Sequence, residues 1–109
     1  MKYKRLYLRL NEEQIQKAAQ RYHFEENGNF FQKIYKKVVR SLSPVLYYEY
    51  NYPIKGQTVV IISLGKGIDT WLDFFQKEGK FLEAYAVECL GLELLSCAYE
   101  QLDTIFYRE

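Results

Sequence analysis

Two glycines, in the segment Gly65-Lys66-Gly67, stand between a predicted strand and a predicted helix, where phosphate-binding loops occur. The dinucleotide-binding pattern fails because Thr70 occupies the position of its third glycine, and no Gly-Lys-Ser/Thr triplet completes a Walker loop. We therefore interpret the segment as a turn that needs a positive φ. The alternative is a backbone that approaches a ligand at the helix N-terminus.

Nucleophilic and metal-binding residue types are few. His23 is the only histidine and has no cysteine or carboxylate at ligand spacing, which argues against a metal site and against a catalytic role. Cys89 and Cys97 are eight residues apart on one predicted helix, about 12 Å along its axis, which is too far for a disulfide. Because they lie among leucines without a basic neighbour, we expect inert core thiols.

Glu88 and Glu93 interrupt the apolar surface of the last predicted helix. A buried acid on a core helix can bind a cationic ligand or set a proton equilibrium. The alternative, which we favour, places both acids at the solvent edge. Gly91 lies between them, and a glycine inside a helix permits close approach of another helix or of a ligand.

The composition is that of one small globular domain. The chain has 109 residues and a formal net charge of +1, which argues against nucleic acid or an anionic membrane as a partner. Aromatic residues make up 17%, with 11 tyrosines, which favours aromatic packing surfaces and an oligomer contact. No apolar run reaches the roughly 18 residues of a membrane span, and no signal-peptide pattern is present. We therefore expect a cytoplasmic protein with reduced thiols.

Hydrophobic periodicity predicts a strand and two helices in the first part of the chain. Tyr3–Leu10 alternates with period two, as in a half-buried strand. Asn11 is a good N-cap for a helix that ends near Tyr22. After a break at Gly28, a full-width apolar stripe predicts a second helix over Phe30–Ser41.

Two features match parts of nucleic-acid-binding surfaces. Four basic residues lie off the apolar stripe of the second helix, namely Lys33, Lys36, Lys37 and Arg40. The near-zero net charge favours a solvated helix face over a phosphate-binding one. The next strand, Val45–Tyr52, carries a tyrosine ladder of the kind that stacks bases. Since no basic residue lies between these tyrosines, packing or an oligomer contact is the favoured interpretation.

The stretch Thr58–Tyr99 organises the rest of the chain. Thr58–Leu64 is apolar on both faces, so we expect a central strand that is covered on both sides. An amphipathic helix follows and breaks at Gly79, and the last helix, Lys80–Tyr107, is apolar nearly all round and should be buried on most sides. These elements predict an α+β fold, a small antiparallel sheet packed against about four helices in a single domain over residues 1–109.

Two short segments match the motifs of a known family. They are Ser63-Leu64-Gly65, at the end of the predicted strand, and Ala84-Tyr85-Ala86-Val87-Glu88-Cys89, in the last predicted helix. Through them the chain resembles the vitamin B12-dependent methionine synthase activation-domain family, in which the first segment matches the strand-ending Thr-Leu-Gly turn and the second loosely matches the Ala-Tyr-x-x-Asp-Ala helix start. The opening, Leu8 to Tyr22, is similar to its first strand and first helix. The resemblance implies an α+β fold that binds S-adenosylmethionine and docks on a cobalamin domain.

One motif of this family is missing from the chain. The Arg-Pro-x-x-Gly-Tyr motif of the family, on which S-adenosylmethionine binding depends, has no counterpart around Pro44 or Pro53. Glu88 stands where the family often has an acid, so the resemblance makes it the one candidate cofactor-binding residue. The chain is therefore interpreted as a truncated activation-domain-like module.

Two functional hypotheses follow from these observations. In the first, the protein is an accessory module without catalysis of its own, and its partner is a corrinoid-dependent methyltransferase or a complementary half-domain. In the second, it is a self-associating interaction protein that has lost the ancestral S-adenosylmethionine site. An independent methyltransferase is disfavoured because neither a glycine-rich cofactor loop nor a general base is evident.

Overall fold

Local sequence signals set the helix bounds in the computed structural model, which describes residues 1–107. A capping box begins the first helix, because the Asn11 side chain accepts from the Gln14 N–H and the Gln14 side chain accepts from the Asn11 N–H. Three strands and four α-helices result, with a short 3₁₀ turn over Glu25–Asn27. In chain order they are β1 (Lys2–Arg5), α1 (Glu12–Arg21), α2 (Gly28–Arg40), β2 (Val45–Tyr50), β3 (Thr58–Ser63), α3 (Gly67–Lys77) and α4 (Phe81–Tyr107).

The three strands form one antiparallel sheet in the order β1-β2-β3. Together with the four α-helices, this sheet confirms the predicted α+β class. The first strand is shorter than predicted because only Lys2–Arg5 pairs with β2. Leu8 and Leu10 nevertheless enter the core, as their alternation required. Gly28 was expected to break any helix at its position, but it has helical dihedrals and begins α2.

The strand β3 lies at an edge of the sheet, so the predicted central position is wrong. Within residues 1–107, β3 pairs only with β2. The core-side residue Ile62 is half-buried, and its neighbour Ile61 on the other face is 52% exposed. The continuous apolar run of β3 therefore belongs to a strand that is covered on one face and that has no strand partner along its outer edge within residues 1–107.

The outer face of the sheet carries an exposed row of aromatic and aliphatic side chains. Tyr3, Tyr47 and Ile61 lie side by side across the three strands. All three side chains are exposed. On the opposite, core-facing side, Tyr48 is buried, and its ring contacts Phe106 of α4 with centroids 5.6 Å apart. The Tyr50 ring also contacts Phe106, with centroids 6.3 Å apart, so packing on α4 accounts for two members of the tyrosine ladder.

The long helix α4 is exposed along one stripe and is buried or half-buried on its other sides. Its core side carries small and branched residues, namely Ala84, Ala86, Val87, Leu90, Leu94 and Ala98. Its other side leaves Leu92 57% exposed and Tyr99 55% exposed. Outside the stripe that includes Leu92 and Tyr99, the residues of α4 from Glu83 to Leu102 are buried or half-buried, which confirms the prediction that this helix is buried on most sides. Among the helices of residues 1–107, none is long and apolar enough to cross a membrane.

Candidate binding groove

The glycine turn after β3 packs tightly against the segment that connects α2 to β2. Gly65 has a φ of 89°, which confirms the predicted turn with positive φ. A Cβ on Gly65 would lie 3.0 Å from the Ser43 Cβ, and a Cβ on Gly67 would lie 2.2 Å from the Ser41 carbonyl oxygen. Both glycines are therefore required by chain packing, which accounts for the GxG pattern without a phosphate.

A groove of about 540 Å³ opens where this turn, α3 and α4 meet. The end of β3 and the turn supply residues 62–65. The first turns of α3 contribute Ile68, Asp69 and Leu72, and the middle of α4 contributes Glu88, Gly91, Leu92 and Leu95. The volume lies within the range of small-molecule pockets, about 300–1,000 Å³. The lining is apolar apart from two carboxylates, Ser63 and main-chain atoms.

Glu88 and Asp69 are the charged residues of this lining. Both residues are exposed, and within residues 1–107 neither forms an ion pair. The predicted solvent-edge position is confirmed for Glu88. It is wrong for Glu93, whose side chain is only 14% exposed and pairs with Arg21 of α1. The fold therefore separates the two acids, assigning Glu93 to helix packing and leaving Glu88 on the groove wall.

Gly91 brings α3 close to α4 at the base of the groove. A Cβ at this position would lie 3.6 Å from the Ile68 Cδ1 atom, which is ordinary van der Waals contact. Another helix does approach Gly91, as predicted, and the same residue lines the groove. Thus the glycine turn after β3 and two residues of α4, Glu88 and Gly91, converge on one cavity.

The thiols and the histidine lie outside this lining. Cys89 is buried and Cys97 is half-buried, and burial raises the pKa of both thiols, which keeps them protonated and poorly nucleophilic. His23 is exposed and follows the C-cap of α1 in a left-handed conformation. Within the described part of the chain, no cluster of three or more metal-ligating side chains occurs.

Sequence reasoning missed Asp69 and the open edge of β3. Asp69 lies in the first turn of α3, where an acid is ordinarily explained by the helix dipole. Its position opposite Glu88 follows from the packing of α3 on α4, which no local pattern reveals. The edge was missed because an apolar strand is typical of a sheet interior.

Comparisons of this chain with models of protein families, with curated proteins and with solved structures found no match. The similarity to activation domains therefore stays a prediction from short motifs. The groove and the open edge of β3 are the structural observations from which a function can be argued.

Proposed function

We propose that this protein is an activation-domain-like binding module, without catalysis of its own, that acts in the cytoplasm with a cobalamin-dependent methionine synthase or another corrinoid methyltransferase. The observation that carries the proposal is the apolar groove at the end of β3, with Glu88 and Asp69 on its wall and neither of them in an ion pair within residues 1–107. A concave apolar site with few polar groups is the usual form of a binding site. Glu88, which the resemblance marks, is one of those groups.

The lining suits one part of S-adenosylmethionine. This ligand carries a cationic sulfonium and an α-amino group, and carboxylates such as Glu88 and Asp69 attract cations at short range. Leu72, Leu92 and Leu95 offer apolar surface to its adenine ring. No arginine or lysine is among the lining residues of this groove to receive the ligand carboxylate. We therefore expect binding through the adenosyl and sulfonium groups, and weaker binding than a site with such a base would give.

The partner would cover surface that this chain leaves open. The edge of β3 and the outward side of α4, with Leu92 and Tyr99 exposed, adjoin the groove. Exposed apolar surface of this extent is typical of an interaction site. A corrinoid-dependent methyltransferase or a complementary half-domain is the proposed occupant of this surface.

Calorimetric titration with S-adenosylmethionine tests the ligand, and sedimentation with a cobalamin-loaded methionine synthase that lacks its own activation domain tests the partner. We expect micromolar binding of the ligand, reduced about tenfold in Glu88→Gln, because a hydrogen bond to a charged group contributes about 1.5–3 kcal/mol. Glu100→Gln is the matched control, since Glu100 is an exposed acid of α4 outside the groove. Absence of both interactions would reject the proposal.

Self-association is the second candidate, and the exposed aromatic and aliphatic side chains favour it. Tyr7 is 72% exposed, and the row of Tyr3, Tyr47 and Ile61 leaves one sheet face without a covering layer. Two such faces can pack on each other in the manner of a β-sandwich. Sedimentation equilibrium over a wide concentration range decides this point, and a strictly monomeric species at high concentration rejects it.

A further inference from the structure

The two edges of the sheet differ in charge. The edge strand β1 carries Lys2, Lys4 and Arg5 among its four residues. Charged side chains, lysine above all, are a common means of preventing an edge strand from pairing with another chain. The opposite edge strand, β3, reads Thr-Val-Val-Ile-Ile-Ser and contains no charge. The sheet is thus protected at β1 and open to pairing at β3.

The open edge borders the groove. Ile62 faces the core side of the sheet, opposite the buried Leu46 of β2, and it also lines the groove. Since β3 pairs on one side only within residues 1–107, alternate main-chain N–H and C=O groups point away from the sheet. A strand added there would lie about 4.8 Å from β3. Every second side chain of that strand would face the groove, and the others would lie beside Ile61.

The acidic residues around the groove favour one kind of strand partner for β3 over another. All charged residues of α4 from Phe81 to Tyr107 are acidic, namely Glu83, Glu88, Glu93, Glu100 and Asp103. A second copy of the chain, paired through its own β3, would add a strand that itself carries no base for Glu88 or Asp69. It would also place one acidic α4 near another, which is unfavourable. A cationic segment instead neutralises both groove carboxylates.

We propose that β3 receives an extended segment of a partner polypeptide, about six residues long, in which apolar and basic side chains alternate. Its main chain pairs with β3, and one or more basic side chains enter the groove to contact Glu88 and Asp69. This inference rests on the proposed function as a binding module, and it specifies the chemistry of the partner. The mode of recognition is strand addition, in which main-chain hydrogen bonds give affinity and alternate side chains give specificity.

Labelled peptides about eight residues long, matched to the six residues of β3, test the proposal by fluorescence anisotropy. The probes are an alternating valine–lysine peptide, its valine–glutamate counterpart, and a valine–lysine peptide with N-methyl groups on alternate amides. We expect saturable binding of the first peptide alone, weakened by added salt because the contacts are partly exposed. Binding of the glutamate or the N-methylated peptide with equal affinity would overturn the proposal, as would no binding of the lysine peptide at millimolar concentration.

Matched variants locate the site. Glu88→Gln should weaken binding of the lysine peptide about tenfold, the effect of losing one hydrogen bond to a charged group, whereas Glu100→Gln should leave it unchanged. Ile61→Lys should abolish binding by placing a like charge on the open edge, whereas Tyr3→Lys, in the same row of the sheet but on β1, should not. Equal effects of the two lysine substitutions would overturn the proposal.

Two further outcomes separate this inference from the alternatives. If the wild-type protein dimerises and Ile61→Lys makes it monomeric while no peptide binds, β3 pairs with a second copy and the cationic-strand proposal is overturned. If the lysine peptide binds but neither S-adenosylmethionine nor a corrinoid methyltransferase does, strand addition is supported and the activation-domain assignment fails. The two failures are therefore distinguishable.

Discussion

Alanine substitutions at Gly67 and Gly91 should have opposite effects on the free energy of unfolding. Both glycines lie in helices and both border the region where α3 packs. At Gly67 the new Cβ would lie 2.2 Å from the Ser41 carbonyl oxygen and 2.6 Å from the Ser41 Cβ. At Gly91 the new Cβ would lie 3.6 Å from its nearest neighbour outside α4, the Cδ1 atom at the end of the Ile68 side chain. Only the first substitution forces backbone to move.

The magnitudes follow from these distances. A methyl group forced into occupied space typically costs about 1–3 kcal/mol, and we expect Gly67→Ala to reach the upper part of that range because the contact is with main chain. Gly91→Ala should stabilise by up to about 1 kcal/mol, since alanine is the better helix former and the contact it makes is ordinary. For a chain of this size, about 1 kcal/mol shifts Tm by about 4–8 °C. The two variants should therefore differ in Tm by about 10 °C or more.

Circular dichroism during heating and during urea titration measures both variants against the wild type. The free energy of unfolding should fall with urea concentration at the same slope in all three proteins, because the surface exposed on unfolding barely changes. A Gly67→Ala protein as stable as the wild type would refute the close packing of the glycine turn on Ser41. A strongly destabilised Gly91→Ala protein would refute the described spacing of α3 and α4.

Three other perturbations have defined outcomes. Asn11→Ala should lower the free energy of unfolding by about 1 kcal/mol in urea titration, because it removes a capping box. Tyr35→Phe should cost about 1–3 kcal/mol in the same assay, because the Leu10 N–H donates to the Tyr35 hydroxyl at 2.8 Å and would be left buried without an acceptor. Burial raises the pKa of Cys89 above its ordinary 9.0, so iodoacetamide should modify it slowly until urea unfolds the chain. The same shift makes the thiol ionise first in the unfolded state, so its contribution to stability is present below pH 9.0 and declines as the pH rises above it.

Local patterns were sufficient to predict most of the secondary structure. The cap at Asn11, the apolar stripe of α2 and the break at Gly79 each depend on neighbours a few residues away, and each lies where its pattern indicated. The α+β class follows from the order of these elements. The length of β1 was overestimated because Leu8 and Leu10 alternate as a strand does, although no partner strand extends far enough to pair with them.

The exposed surfaces were not predictable from the same patterns. Hydrophobicity along β3 and α4 reports how much apolar surface a segment has, whereas its burial depends on how many other segments cover it. Leu92 and Leu94 are the same residue type and lie two positions apart on α4, yet Leu92 is 57% exposed and Leu94 is fully buried. The groove was likewise not predictable from local patterns, since Asp69 and Glu88 belong to different helices and line the same groove only because α3 packs on α4.

The cationic edge of β1 has a consequence for stoichiometry. A sheet with two open edges can add strands without limit and grow into fibrils. Here Lys2, Lys4 and Arg5 close one edge, so growth is confined to the β3 side. If the strand that binds there is itself rich in lysine or arginine, the enlarged sheet carries positive charge at both of its edges. Assembly then ends at a one-to-one complex, and the fold limits its own polymerisation.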